Sequence, residues 1–206
     1  MFLRTTTLHS RLFPSLLWRM NAPGIFLTFD DGPHTRTTPA VLDVLKSHDV
    51  PATFFLSGCN IAGHEAIVRD TAAQGHTLGI HAYTHTRMLA MSKRRTMDDI
   101  RTTARMIEEC AGVTTHWFRP PFGMFSWKTI AAARELGCTI AMWTVMTGDF
   151  TKRPTDAIIA HTMKGLAPGA IVVMHDNDLT EGRAAVLLDR TIRQMKDSGC
   201  TFQRLP

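Results

Sequence analysis

Short apolar runs alternate with amphipathic, helix-like segments from about residue 24 onward, and this alternation constrains the fold more than any other feature of the chain. It is typical of a parallel sheet, because parallel neighbours need a crossover connection that is usually a helix. Several helix-like segments end in a glycine that precedes the next apolar run, at Gly75, Gly112, Gly137 and Gly199. We predict one α/β domain over 24–206, preceded by an N-terminal extension over 1–23.

The alternation gives a specific set of elements. Predicted strands cover 25–30, 52–56, 77–81, 115–118, 138–144, 170–174 and 201–204. Predicted helices lie near 38–48, 60–74, 96–111, 126–136, 155–164 and 183–198. Periodicity alone leaves a closed barrel and an open doubly wound sheet as alternatives.

Two adjacent carboxylates, Asp30 and Asp31, end the first predicted strand just before the turn at Gly32-Pro33. Neighbouring carboxylates repel each other, so burying both is costly unless a cation or a shared proton compensates. In either parallel architecture, functional residues belong at the carboxyl ends of strands. The pair therefore predicts a metal site at this strand end.

Two histidines, His81 and His85, follow the third predicted strand. A spacing of four brings two imidazoles together on one helical turn or tight loop. A catalytic zinc site typically has three protein ligands, so the histidines and one aspartate complete the set and the other aspartate is free to accept a proton from water. Ala82 follows the first histidine, which excludes an H-E-x-x-H protease.

Three further strand ends carry reactive side chains: Arg119 before two prolines, Asp149 after an apolar run, and His175 directly after 170–174. An arginine in this position can grip a carboxylate with two hydrogen bonds. Taken singly, a surface arginine, an aspartate in an exposed turn and a hydrogen-bonded core histidine are ordinary alternatives. Their common position at strand ends favours one shared site.

The net charge and the hydropathy pattern limit the kinds of partner that we expect for this chain. The net charge is +5, but basic residues are scattered and the run Lys93-Arg94-Arg95 lacks interleaved aromatics, so we predict no nucleic-acid partner. No apolar run is long enough to span a bilayer, and the N-terminus lacks a convincing signal peptide, so we expect a cytoplasmic protein. Near the N-terminus, apolar residues recur at a spacing that suits a short amphipathic helix: Leu12, Phe13, Leu16 and Leu17. We expect this helix to pack against the domain, and weak association with a membrane surface is the less favoured alternative.

Together these motifs resemble the polysaccharide deacetylases, the NodB-homology or carbohydrate esterase family 4 enzymes, over about residues 24–205. Five segments stand in the order of that family: Thr28-Phe29-Asp30-Asp31-Gly32, His81 with His85, Arg119-Pro120-Pro121-Phe122-Gly123, Asp149-Phe150 and Val173-Met174-His175. The resemblance implies a distorted (β/α) barrel with about seven parallel strands. It also implies a metal-dependent enzyme that removes N-acetyl groups from saccharides, with Zn²⁺ as the default metal and Co²⁺, Ni²⁺ or Fe²⁺ as alternatives.

The resemblance assigns a role to each of these residues. Asp30 is expected to be the general base, and Asp31 is expected to bind the metal with His81 and His85. Arg119 is expected to orient the base, and Asp149 to pair with His175, the general acid. The Phe122 backbone N–H is expected to stabilise the oxyanion, with Phe150 and Val173 placed beside the oxyanion or substrate.

Four positions depart from the family pattern: Ala82, Phe122, Met146 and Phe150. None of them removes an expected ligand, base or acid, so the departures concern substrate choice more than activity. Two other functions stay open. One is a deacylase or amidohydrolase of a small or lipid-linked N-acyl compound, and the other is a barrel that binds glycans without turnover.

Overall fold

The structure is a computed structural model that describes residues 7–206. Its strands are β1 (Ile25–Asp30), β2 (Thr53–Leu56), β3 (Thr77–Ile80), β4 (Trp117–Phe118), β5 (Thr139–Ile140), β6 (Val145–Met146), β7 (Ile171–His175) and β8 (Phe202–Gln203). Its α-helices are α1 (Thr7–Leu12), α2 (Thr37–His48), α3 (Gly58–Ile61), α4 (Glu65–Ala73), α5 (Lys93–Ala111), α6 (Trp127–Glu135), α7 (Thr155–Gly165) and α8 (Ala184–Asp197). Short 3₁₀ turns occupy Met88–Ala90, Pro121–Gly123 and Asp178–Thr180.

The sheet is parallel throughout and curls into a half-barrel, which confirms the predicted fold class. Its strand order is β5-β4-β3-β2-β1-β7-β6, and β8 pairs with the start of β1. Strand β1 lies inside the sheet between β2 and β7, and all six of its residues are buried. A strand covered on both faces needs a continuous apolar run, and Ile25-Phe26-Leu27 begins one.

The single strand predicted over 138–144 is wrong. The chain forms β5, crosses an open side of the barrel and forms β6 at the opposite edge of the sheet. The crossing residues Ala141, Met142 and Trp143 are buried. They are apolar because the crossing is buried, and not because they belong to one continuous strand. We call residues 141–144, with the chain that pairs with them, the seam.

The N-terminal segment fills the seam. Leu17 forms a parallel bridge with Ala141, donating its N–H to the Ile140 carbonyl at 2.9 Å and accepting the Met142 N–H at 2.8 Å. Leu16 and Trp18 are buried in the same core as the sheet. The domain boundary at residue 24 stays a prediction.

The helix predicted from the spacing of apolar residues 12–17 is wrong, because α1 ends at Leu12 and that side chain is 59% exposed. Residues 13–16 form a turn that brings Leu17 to the seam, where backbone pairing with the crossing chain replaces helical hydrogen bonds. Residues 1–6 of the predicted extension lie outside the described residues. Across residues 7–206, no helix has the length and apolar character needed to cross a bilayer.

The helix predicted over 60–74 is two helices, α3 and α4, separated by a turn. Gly63 adopts a φ of 83° in that turn, a left-handed value that ends a helix. Helix α5 begins at Lys93, earlier than predicted, because the Ser92 side chain accepts the Arg95 N–H and caps it. From α5, Asp99 accepts the Tyr83 N–H and so anchors the loop that contains the two histidines.

Candidate functional site

The candidate site forms where the central strands end. In the sheet register, Asp30 at the end of β1 stands beside His175 at the end of β7. His81 follows β3 directly, and Arg119 follows β4. Because parallel strands point the same way, these ends meet at one edge of the sheet.

Three ligand-type atoms converge there. The Asp31 Oδ1 atom lies 3.3 Å from His81 Nε2 and 3.1 Å from His85 Nε2. The same oxygen is buried and accepts no hydrogen bond of acceptable geometry. Buried carboxylate oxygens are almost always partnered, so an orphaned oxygen that faces two imidazole nitrogens fits a bound cation.

The protonation states suit a cation as well. His81 Nδ1 lies 2.8 Å from the Arg119 carbonyl oxygen, which can only accept, so in the neutral ring Nδ1 carries the proton and the Nε2 lone pair faces Asp31. Burial raises the pKa of Asp31, but positive charge on the nearby histidines, His81 first and then His175 and His85, outweighs it and holds this pKa below its usual range. Burial lowers the pKa of His85. Asp31 and His85 thus favour the deprotonated forms that bind metals.

Backbone strain concentrates at this site. Among the described residues, four non-glycine residues have a positive φ, and three of them are Asp31 at 83°, Ala82 at 65° and Phe122 at 59°. A non-glycine residue held in the left-handed region costs on the order of 1–3 kcal/mol. The surrounding fold therefore stabilises a strained backbone at Asp31 and Phe122, which line the cavity, and at Ala82, which lies next to His81.

Asp30 is fixed from behind by a fully buried arginine. Arg119 Nη1 donates to Asp30 Oδ1 at 2.6 Å, and the guanidinium lies 4.0 Å from the centre of the Phe55 ring. Two other donors, Nε and Nη2, bind the Ala141 carbonyl at 2.9 Å and the Met142 carbonyl at 3.0 Å, in the seam. The arginine is held by protein on every side, so it presents Asp30 in one orientation.

His175 and Asp149 form a second buried pair. The Asp149 carboxylate lies 2.8 Å from His175 Nδ1 and accepts the His175 backbone N–H at 2.7 Å. Burial lowers the pKa of His175, but the charge and hydrogen bond of Asp149, with charge on Asp31 and Asp30, raise it to about 9. The imidazole is therefore protonated near neutral pH, as a general acid must be.

These side chains surround one cavity of about 110 Å³. Seven of the predicted residues line it: Asp30, Asp31, His81, His85, Phe122, Phe150 and His175. Arg119 and Asp149 lie behind the wall and hold residues that do line it. Val173 is fully buried within β7 and does not line the cavity, so its side chain is not brought to the site.

Several residues of the site were not predicted from the sequence. Trp143 and Leu179 line the cavity, as does Asn177, whose Nδ2 donates to Asp31 Oδ2 at 2.6 Å. Asp176 is fully buried, and burial raises its pKa to about 8, with Thr38 lowering it and charge on Asp31 raising it. The available signal was the polar run His175-Asp176-Asn177 that follows an apolar strand.

A second cluster of ligand-type side chains, formed by His34, Asp178 and Glu181, lies near the surface. His34 Nδ1 accepts the Thr37 N–H at 3.1 Å, so the neutral ring carries its proton on Nε2 and donates it to Asp178 at 2.8 Å. Glu181 pairs with Arg36 at 2.5 Å. We call this group the surface cluster; its histidine has no free lone pair for a cation.

Comparisons with known proteins find similar deacetylases. A family model described as polysaccharide deacetylase matches residues 19–141. The peptidoglycan-N-acetylglucosamine deacetylase PgdA of Listeria monocytogenes is 34% identical over 86% of this chain, which spans only 37% of that relative. A chitooligosaccharide deacetylase of Sinorhizobium fredii is 32% identical, with 90% of this chain and 91% of the relative covered.

Solved structures of similar proteins have the same fold. The Bc1960 peptidoglycan N-acetylglucosamine deacetylase superposes with a TM-score of 0.90 at 31% identity, covering 98% of this chain and 96% of that one. A pseudoenzyme of the CE4 family from Bacillus anthracis superposes with a TM-score of 0.83 at 30% identity, covering 91% of this chain and 66% of that one. The fold is thus shared by a deacetylase and by a pseudoenzyme, so the fold alone does not show activity.

Proposed function

The chain belongs to the polysaccharide deacetylase family, and from this premise we propose that it is a metal-dependent hydrolase that removes N-acetyl groups from acetylated saccharides. One observation carries the proposal. A three-residue ligand set, a carboxylate gripped by arginine and a protonated histidine all border a single cavity. Hydrolysis of an amide needs a Lewis acid to polarise the carbonyl, a general base and a general acid, and these groups can provide all three.

Asp31, His81 and His85 are the residues proposed to hold the metal. Two nitrogens and one oxygen suit Zn²⁺, and Co²⁺, Ni²⁺ and Fe²⁺ accept the same donors. A divalent ion bound there would act as a Lewis acid on the substrate carbonyl and would lower the pKa of water. Three protein ligands leave positions free for water and substrate.

Asp30 is proposed to accept the proton of the attacking water. It lines the cavity next to the ligand set, and the Arg119 hydrogen bond at 2.6 Å holds one of its oxygens. A base fixed in this way needs little reorganisation when the proton moves. Asp31, the second carboxylate of the pair, is the proposed metal ligand, so the two aspartates have different roles.

His175 is proposed to donate a proton to the leaving amine. Its Nδ1 is held by Asp149, so Nε2 is the atom that can deliver the proton. The Phe122 N–H is proposed as an oxyanion donor, since this residue lines the cavity and its strained backbone turns at that wall. Removing one such donor typically costs about 10²–10³ in rate.

The cavity supports a small acyl group as the part that enters it. Its volume of about 110 Å³ and its apolar walls, formed by Phe122, Trp143, Met146 and Phe150, suit a methyl group and its carbonyl. A saccharide would then lie outside, across the rim at Leu179, which is 68% exposed. Glycans named for the relatives, peptidoglycan and chitooligosaccharides, are the first substrates to test.

Acetate release tests the proposal. The protein is stripped with a chelator, reloaded with Zn²⁺ or Co²⁺, and incubated with N-acetylglucosamine oligomers, peptidoglycan fragments and small N-acyl compounds. We expect metal-dependent acetate release from the glycans. Release from small compounds alone would favour an amidohydrolase, and no release from any substrate would favour a barrel that only binds.

A further inference from the structure

Asn177 holds the outer oxygen of the proposed metal ligand. Its Nδ2 donates to Asp31 Oδ2 at 2.6 Å, while its own Oδ1 accepts the Leu179 N–H at 2.9 Å. The backbone N–H donor fixes which end of the amide faces the carboxylate, because an amide oxygen there would repel it. The amide is therefore oriented before any ligand arrives.

This hydrogen bond determines how Asp31 can bind. With Oδ2 engaged by Asn177, only the orphaned Oδ1 faces His81 and His85. A carboxylate can bind a cation through one oxygen or two, and two would use up a coordination position. Holding Oδ2 away keeps that position available.

Asp176 holds the backbone next to the same ligand. This residue is fully buried, and its carboxylate accepts the Gly32 N–H at 3.1 Å and the Thr38 hydroxyl at 2.6 Å. A Cβ at position 32 would collide with this carboxylate. Glycine therefore allows the contact that ties the turn after Asp31 to the end of β7.

We propose that Asn177 and Asp176 are positioning residues that hold Asp31 as a one-oxygen metal ligand from its side chain and from its backbone. The inference rests on the metal site of the proposed function and deepens it. It makes His175-Asp176-Asn177 one unit, in which the proposed acid is followed by the two residues that set the ligand. The end of β7 thus controls both the proton donor and the metal.

Direct metal titration of the apo-protein tests the proposal without an activity assay. Orienting partners of a metal ligand typically contribute about 10–100-fold in affinity, so Asn177→Ala should weaken Zn²⁺ binding at least tenfold by calorimetry. It should also change the visible absorption of the Co²⁺ form, because Asp31 would no longer be restricted to one oxygen. The matched control is Asp178→Ala on the same turn, whose carboxylate contacts His34 and not Asp31.

Asp176 needs a pair of variants, since a buried carboxylate is hard to delete. Asp176→Asn keeps an oxygen for the Gly32 N–H, so it should retain most of the Zn²⁺ affinity that Asp176→Ala loses. The thermal unfolding of each apo-variant shows whether it is folded. If Asp176→Ala does not fold, Asp176→Asn and Asn177→Ala still decide the question.

The outcomes separate the two proposals. Zn²⁺ affinity of Asn177→Ala within tenfold of wild type, an equal loss in Asp178→Ala, or a tenfold loss in folded Asp176→Asn would overturn the positioning role. Those results leave acetate release by the wild-type protein unaffected. Conversely, a protein that releases no acetate but shows the expected ranking of affinities contradicts the proposed function and retains the inference.

Discussion

The buried ligand set and the surface cluster contain the same kinds of side chain, yet only one of them is suited to a cation. Both bring histidine and carboxylate atoms within 4.8 Å of one another. The difference lies on the far side of each imidazole: His81 Nδ1 faces a carbonyl oxygen, whereas His34 Nδ1 faces a backbone N–H. A ligand set is therefore defined by the partner behind the ring as much as by the atoms that converge.

Asp30→Asn should reduce activity more than any other variant proposed here, and it distinguishes metal binding from catalysis. The amide keeps the shape of the side chain but cannot accept a proton, so kcat/KM should fall about 10²–10⁴-fold. Zn²⁺ affinity should be unchanged, because Asp30 is not in the ligand set. An Asn variant with normal acetate release would remove the base from the mechanism.

His81→Ala tests the buried ligand set itself. Metal sites in small folds contribute about 10–16 kcal/mol over roughly four ligands, so losing one costs about 3 kcal/mol, or roughly a hundredfold in affinity. Calorimetric titration with Zn²⁺ measures this loss. Unchanged affinity would mean that the cation does not bind where the three ligand atoms converge.

Asp149→Asn tests the buried His175–Asp149 pair through the pH dependence of activity. The pKa of His175 is raised to about 9, so activity that needs its proton should persist up to about that pH. Removing the Asp149 charge should move the alkaline limit of the kcat/KM profile to lower pH by one unit or more. A limit that stays in place would assign it to another group.

The same pKa bears on stability in the wild-type protein. A pKa raised from 6.5 to about 9 on folding stabilises the folded state fully below about pH 6.5, and this contribution is lost as pH rises through 9. The free energy of unfolding of Asp149→Asn should lack this part of the pH dependence. Urea titrations at several pH values measure it.

His34→Gln gives the smallest expected effect, and it tests the surface cluster. His34 pairs with an exposed aspartate whose side chain is 90% accessible, and such pairs contribute about 0–1 kcal/mol. Zn²⁺ affinity should stay within about twofold of wild type, and the melting temperature should change little. A clear loss of metal affinity would mean that the surface cluster also binds the cation.

Strand ends were predictable from the sequence because each buried run stops abruptly at a polar side chain. Asp30, His81, Arg119 and His175 all follow that pattern, and parallel topology then brings them together. The roles of Asp176 and Asn177 were not predictable, since nothing local shows that they reach across to β1. The cytoplasmic location stays a prediction.

The break within 138–144 was also beyond local patterns. An apolar run looks the same whether it pairs in one strand or crosses an open side of a barrel. What distinguishes the two is Leu17, and no short-range signal links it to Ala141. The apolar side chains of this run correctly indicated that it is buried. Which strand or segment it pairs with depends on contacts that are distant in the sequence.

The seam has a consequence for the order of folding. Leu17 and Ala141 stand 124 positions apart, so Leu17 must wait for a partner that is synthesised much later. Closing so long a loop costs entropy before any contact repays it, and we expect it to be a late event. The carbonyls of Ala141 and Met142, in the chain that this pairing fixes, are those that bind Arg119, so the proposed base is fully oriented only once Leu17 has paired with the seam.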